Sequence, residues 1–174
     1  EGVVFVNNAN VAATENQGVD LDFRVRVGDT PFGRLTIRNA ATYYEKISTQ
    51  FEPGDPFERF EGTFLNPRWR NNFSANLERG PWSSTFTIRT TAHMWDTQLA
   101  QGSFSRAERK VGTFEEVDVN VQYTGLKNLQ LSGTVRNLLD RQPPFAFRGT
   151  LNQNGSLGFP WIYSPRGRFF RVSA

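Results

Sequence analysis

The sequence predicts an all-β chain, an antiparallel sheet whose strands run up and down in chain order, and three observations predict it. Between Val19 and Val27 every odd position is apolar and every even position is charged, in the run Val-Asp-Leu-Asp-Phe-Arg-Val-Arg-Val. A strand turns successive side chains to opposite sides of its sheet, so this segment has one apolar face and one face of Asp20, Asp22, Arg24 and Arg26. Second, short and long connections alternate along the chain. Third, 16 Phe, 4 Trp and 4 Tyr give a 14% aromatic share, while mean hydropathy is −0.52. Large apolar groups in a chain that is polar on average are what alternating strands require.

Alternating runs and the turn residues between them delimit about eight strands. Val3 to Val11 comes first and Gly18 to Val27 second, followed by Gly33 to Thr49 and Trp69 to Arg79. Trp82 to Trp95 opens with Trp82, Ser84, Phe86 and Ile88 against Ser83, Thr85, Thr87 and Arg89. Glu115 to Thr124 sets Val117, Val119, Val121 and Tyr123 against Asp118, Asn120, Gln122 and Thr124. Leu129 to Asn137 repeats the pattern, and the last strand starts at Gly167. Gly28-Asp29-Thr30-Pro31, Arg79-Gly80-Pro81 and Gly125-Leu126-Lys127-Asn128 are tight turns of residues that accept turn dihedrals. Gln50 to Arg68, Asp96 to Phe114 and Asp140 to Arg166 are long, polar loops rich in Gly, Pro and Arg. Short turns at one end and long loops at the other suit a sheet whose ends face different compartments, as in outer-membrane barrels.

Two neighbours fit the apolar face. If it meets lipid, Arg24, Arg26, Arg34, Arg38, Arg89 and Arg136, with Asp20, Asp22, Glu78 and Asp118, line a hydrated lumen. If it meets a second sheet, the apolar row is the core of a soluble sandwich and the charged row faces bulk water. Alternation fits both. Trp69, Trp82, Trp95, Tyr43, Tyr44 and Tyr123 fall at predicted strand ends, where aromatic girdles meet membrane interfaces or, equally, where a soluble core is capped.

Composition narrows the function classes. No stretch approaches the roughly 18 consecutive apolar residues of a membrane helix, whereas a spanning strand needs apolar residues only at alternate positions. With no cysteine, disulfides, thiolate metal sites and Cys nucleophiles are excluded. The 20 Lys and Arg against 17 Asp and Glu give a net charge of +3, but the basic residues are scattered and form no nucleic-acid groove. The chain opens on Glu-Gly-Val-Val-Phe with neither a basic nor an apolar leader segment, so a signal peptide was removed or the chain starts inside a longer one.

The run Val135-Arg136-Asn137-Leu138-Leu139-Asp140-Arg141-Gln142-Pro143-Pro144-Phe145 resembles a signature of TonB-dependent outer-membrane receptors, at the end of their penultimate strand. Val117 to Tyr123 is similar to the strand before it, and Tyr163 to Phe170, with Pro165, Gly167 and Arg168, to the final strand with its Gly-Arg-aromatic pattern. Asn66-Pro67-Arg68-Trp69-Arg70 and Glu78-Arg79-Gly80-Pro81-Trp82 are similar to the hairpin two strands earlier. The resemblance implies an antiparallel up-and-down transmembrane β-barrel, of which residues 1–174 form roughly the last third of 22 strands. It also implies an N-terminal plug domain and a TonB box, neither found in this chain. The chain lacks the terminal aromatic residue usual in such barrels, so a few residues are expected beyond Ala174 and several hundred before Glu1.

The resemblance implies a receptor in the outer membrane of a Gram-negative bacterium, in contact with lipid and lipopolysaccharide and coupled to TonB through the plug. Its ligand would be a scarce nutrient such as a siderophore-iron complex, cobalamin or an oligosaccharide. Two other readings stand beside it: a self-contained barrel of about eight strands acting as an adhesin or structural protein, and a soluble β-sandwich that binds carbohydrate. Catalysis, metal and cofactors are not expected. His93 stands alone in a lumenal register, no Ser or Thr has a His and carboxylate partner, and the glycines form no phosphate loop. Asn137 and Asp140 cap the turn after their strand, while Pro143 and Pro144 stop pairing. Ligand contacts are expected on the long loops, at Arg59, Phe60, Arg106, Arg109, Trp161 and Tyr163, near Phe57 and Lys110. Cations suit anionic chelates and aromatics suit sugars or macrocycles; the competing role for the same residues is to pack the loops or meet lipopolysaccharide phosphates.

Overall fold

Period-two alternation becomes one continuous antiparallel sheet. The computed structural model describes residues 13–104, 109–147, 160 and 162–174. The main strands are β1 (Ala13–Thr30), β2 (Gly33–Gln50), β4 (Trp69–Arg79), β5 (Trp82–Thr91), β8 (Phe114–Leu126), β9 (Leu129–Arg136) and β10 (Phe169–Ser173). They pair in the order β1-β2-β4-β5-β8-β9-β10, with the short β3 (Glu58–Arg59) attached to β2; β6 (Met94–Trp95) and β7 (Lys110–Val111) pair separately. The sheet is open: among the described residues β1 pairs only with β2, and β10 only with β9.

The register carries the two faces across every ladder. Tyr43 pairs with Trp69, Ile37 with Ala75, Phe73 with Ile88, Phe86 with Val119 and Val119 with Val135, so the apolar rows coincide from strand to strand. Among the described residues no second layer covers this face. Val19 is 65% exposed, Leu21 54%, Phe23 42% and Val25 49%, and Phe86, Phe170 and Val172 are exposed with them. That arrangement departs from the sandwich reading, in which these side chains would be a protein core. Trp69 and Tyr43 close the row at one end, and Trp82 stacks on Tyr123 at the other, with ring centroids 4.5 Å apart. The ten residue steps from Trp69 to Arg79, tilted as barrel strands are, rise about 25 Å, the height of the apolar band of an outer-membrane barrel.

Several predicted boundaries move. The first strand, Val3 to Val11, lies outside the described residues. β1 starts at Ala13 instead of Gly18, because β1 and β2 continue as polar ladders beyond the Tyr43 row, where Lys46 and Glu15 pair. It also runs on to Thr30 through a bulge after Arg26, with Gly28 at φ +95°. The turns are therefore Pro31-Phe32, Gly80-Pro81 and Lys127-Asn128. The Trp82 strand stops at Thr91: Ala92 donates to the Trp69 carbonyl, and Met94 leaves the ladder to be fully buried among the loops. Trp95 goes with it, and Tyr44 lies in the row opposite Tyr43, so neither joins a girdle. The last strand begins at Phe169, two residues later than Gly167.

Candidate functional site

The three long connections follow β2, β5 and β9 and therefore emerge at one end of the sheet, where they pack into a cap. Its core is Phe64, Met94, Val111, Phe114, Ala146 and Tyr163, with Leu65 and Ile162 against it. Backbone bonds tie the loops together: Phe64 donates to the Thr97 carbonyl at 2.9 Å, Trp95 to Gly62 at 2.8 Å and Gln101 to Arg59 at 2.6 Å. Asp96, which is buried, accepts from the Phe147 amide and so reaches the third loop.

The loop residues expected to contact ligand divide between packing and exposure. Arg59 donates to the Glu45 carbonyl at 3.0 Å and lies 2.8 Å from Glu61, a carboxylate only 1% exposed that also faces Arg68 at 3.4 Å. A buried charge is costly unless paired, so these two guanidinium groups hold Glu61 in place. Phe60 meets Phe51 edge to face at 6.2 Å. Tyr163 is buried against Phe114 at 4.9 Å; burial pushes its hydroxyl pKa up to about 12, with the Arg70 guanidinium offsetting part of the rise. Arg109 is exposed and lies over the Phe145 ring at 5.2 Å, and Lys110 lies over Trp95 at 6.0 Å. Arg106 and Trp161 lie outside the described residues. His93 is exposed between β5 and β6, its pKa lowered by desolvation and by Lys110. Among the described residues no group of His, Asp and Glu has metal-site geometry.

The polar face gathers the charged residues read from the sequence into one set of rows. Arg38 pairs with Asp22 at 2.6 Å, Arg34 with Glu78 at 3.9 Å, and Thr42 donates to Asp20 at 2.6 Å. Arg89 reaches Glu116 at 3.2 Å and Asp118 at 2.7 Å. Two depressions lie along this face next to the cap, of about 470 and 380 Å³, and Arg89 contributes to both.

Asn137 and Asp140 cap their turn as expected, and they do more. Asn137, at φ 51°, exchanges two hydrogen bonds with the Arg141 backbone, and its own amide donates to Asp118 at 2.9 Å. Asp140, at φ 53°, accepts the Arg168 amide at 2.7 Å. A Cβ on Gly167 would stand 2.7 Å from that same carboxylate oxygen, so a larger residue would have to shift the Asp140 side chain. The Asn-Leu-Leu-Asp run and the Gly-Arg-aromatic run, two separate signals in the sequence, thus form one clasp.

A family model described as TonB dependent receptor-like, beta-barrel, matches residues 2–138. No curated protein and no solved structure gives a match. The matched range takes in β1 through β9, and so every ladder of the main sheet except β9–β10. Most of the chain is covered, and its sheet, girdles and one-ended loops have the form that such a wall requires: the chain belongs to the TonB-dependent receptor β-barrel family.

Proposed function

We propose that this chain is the C-terminal part of a 22-stranded outer-membrane receptor that imports a scarce nutrient, with energy delivered through TonB acting on a plug domain. In this reading the apolar rows meet lipid, the charged rows line the lumen, and the cap meets lipopolysaccharide and admits the nutrient. Siderophore-iron complexes, cobalamin and oligosaccharides are the candidate cargoes. Arg59, Phe60 and Tyr163 then shape the entrance by holding the loops, while Arg109, with Arg106 and Trp161, offers charge and aromatic area to the solute. The observation that carries the reading is the uncovered apolar row from Val19 to Val25, continued across the ladders and bounded by Trp69 and Trp82.

Phe86 and Thr87 are neighbours on opposite faces of β5 and test it. Arginine toward lipid costs about 2–4 kcal/mol near the midplane, whereas arginine toward a lumen is tolerated. Phe86→Arg should therefore cut the yield of folded, heat-modifiable protein severalfold, and Thr87→Arg should leave it near wild type. Equal yields would count against the assignment of faces. Loss of TonB-dependent growth on a limiting nutrient when the full-length gene is deleted would establish transport.

A further inference from the structure

The smaller depression on the polar face, about 380 Å³, lies where β5, β8, β9 and β10 meet the cap, and its wall is chemically mixed. Arg89, Arg136 and Arg166 line it together with Glu116, Ile162 and Phe169. Arg89 is committed to Glu116 and Asp118. Arg136 approaches Asp118 only to 3.8 Å, and both oxygens of that carboxylate already accept, from Arg89 and from the Asn137 amide. Arg166 has no carboxylate within ion-pair distance among the described residues; its backbone amide is held by the Ser164 hydroxyl. Among the described residues, two guanidinium groups therefore keep free donors at one depression. Phe169 pairs with Arg136 and so stands in the polar row, lining the same depression as the two guanidinium groups.

We propose that this depression is a subsite for a solute carrying a carboxylate or phosphate on an aromatic body. Arg136 and Arg166 hold the anion, because the planar guanidinium matches carboxylate and phosphate oxygens two at a time, and Phe169 takes the ring. The subsite rests on the transport reading, since it gives the imported solute a stop on the lumenal wall below the loops.

The test uses the full-length receptor in detergent, with 4-fluorobenzoate and its neutral counterpart 4-fluorobenzyl alcohol as probes, followed by 19F NMR. Wild type should bind the benzoate and ignore the alcohol. Arg136→Gln and Arg166→Gln should each weaken benzoate binding at least tenfold, Phe169→Ser severalfold, and Arg24→Gln, at the far end of the same face, not at all. Heat-modifiable migration checks that each variant is folded. Absence of benzoate binding in wild type, equal binding of the alcohol, or wild-type affinity in both arginine variants would overturn the subsite. A receptor that imports its nutrient through TonB but ignores the benzoate defeats the subsite alone; one that binds the benzoate yet never transports defeats the transport reading alone.

Discussion

Tyr163 shows how a single residue can look like a ligand contact in sequence and serve packing in the structure. Its ring fills the cap against Phe114, and its hydroxyl is buried without a hydrogen-bond partner among the described residues. An unsatisfied buried hydroxyl costs about 1–3 kcal/mol, while truncating a buried aromatic costs about 3–5 kcal/mol. Tyr163→Phe should therefore hold or raise the unfolding temperature, and Tyr163→Ala should lower it by several degrees. Alkaline titration gives a second check. The hydroxyl ionises near 10 in an unfolded chain and near 12 in the fold, so the unfolded chain releases its proton first as pH rises. Stability should fall between about pH 10 and 12, and the part due to this residue should vanish in Tyr163→Phe. Melting curves of both proteins across that range would decide it.

At the scale of elements, the β9–β10 connection depends on the clasp. Asp140 fixes the Arg168 amide, and Gly167 leaves room for the carboxylate. Gly167→Ala should destabilise, because the added Cβ would push the Asp140 carboxylate off the Arg168 amide. In an Asp140→Ala background the same substitution should cost markedly less, because the oxygen it strikes is gone; a double-mutant cycle on thermal unfolding measures the difference. Additive effects would show that the two residues do not act on each other. The limits of sequence reading are visible here. β4 was legible to its ends, since Trp69 to Arg79 alternates cleanly between turn signals. The stop of β5 at Thr91 was not, because apolar Met94 and Trp95 continue the signal although they leave the ladder for the cap. The clasp was illegible because it joins residues 27 and 28 positions apart, and periodicity reports only neighbours. Among the candidate site residues, charge and aromaticity marked the loops that pack into the cap, but nothing local separated Arg59, held by Glu61, from Arg109, which lies over Phe145.

For the molecule as a whole, the apolar face fixes the solvent in which the fold can exist. A single sheet with Leu21, Phe23, Phe86, Phe170 and Val172 uncovered has, among the described residues, no core beneath it to offset the entropy of ordering its strands. Refolded in plain buffer, the protein should aggregate or bind apolar dyes. Transferred into short-chain detergent micelles, it should gain β circular dichroism and stay monodisperse in scattering. A clear, monomeric, strand-rich solution without detergent would contradict the exposed row. The loops behave differently, since their contacts are largely with one another.

That interdependence bears on how such a protein could diversify. Phe64 of the first loop, Met94 of the second and Ala146 of the third share one core, so grafting any one segment from a relative would leave a void or a collision in the remaining two. New surface chemistry at the cap would then arise by exchanging all three together, or by point changes at exposed side chains outside this core.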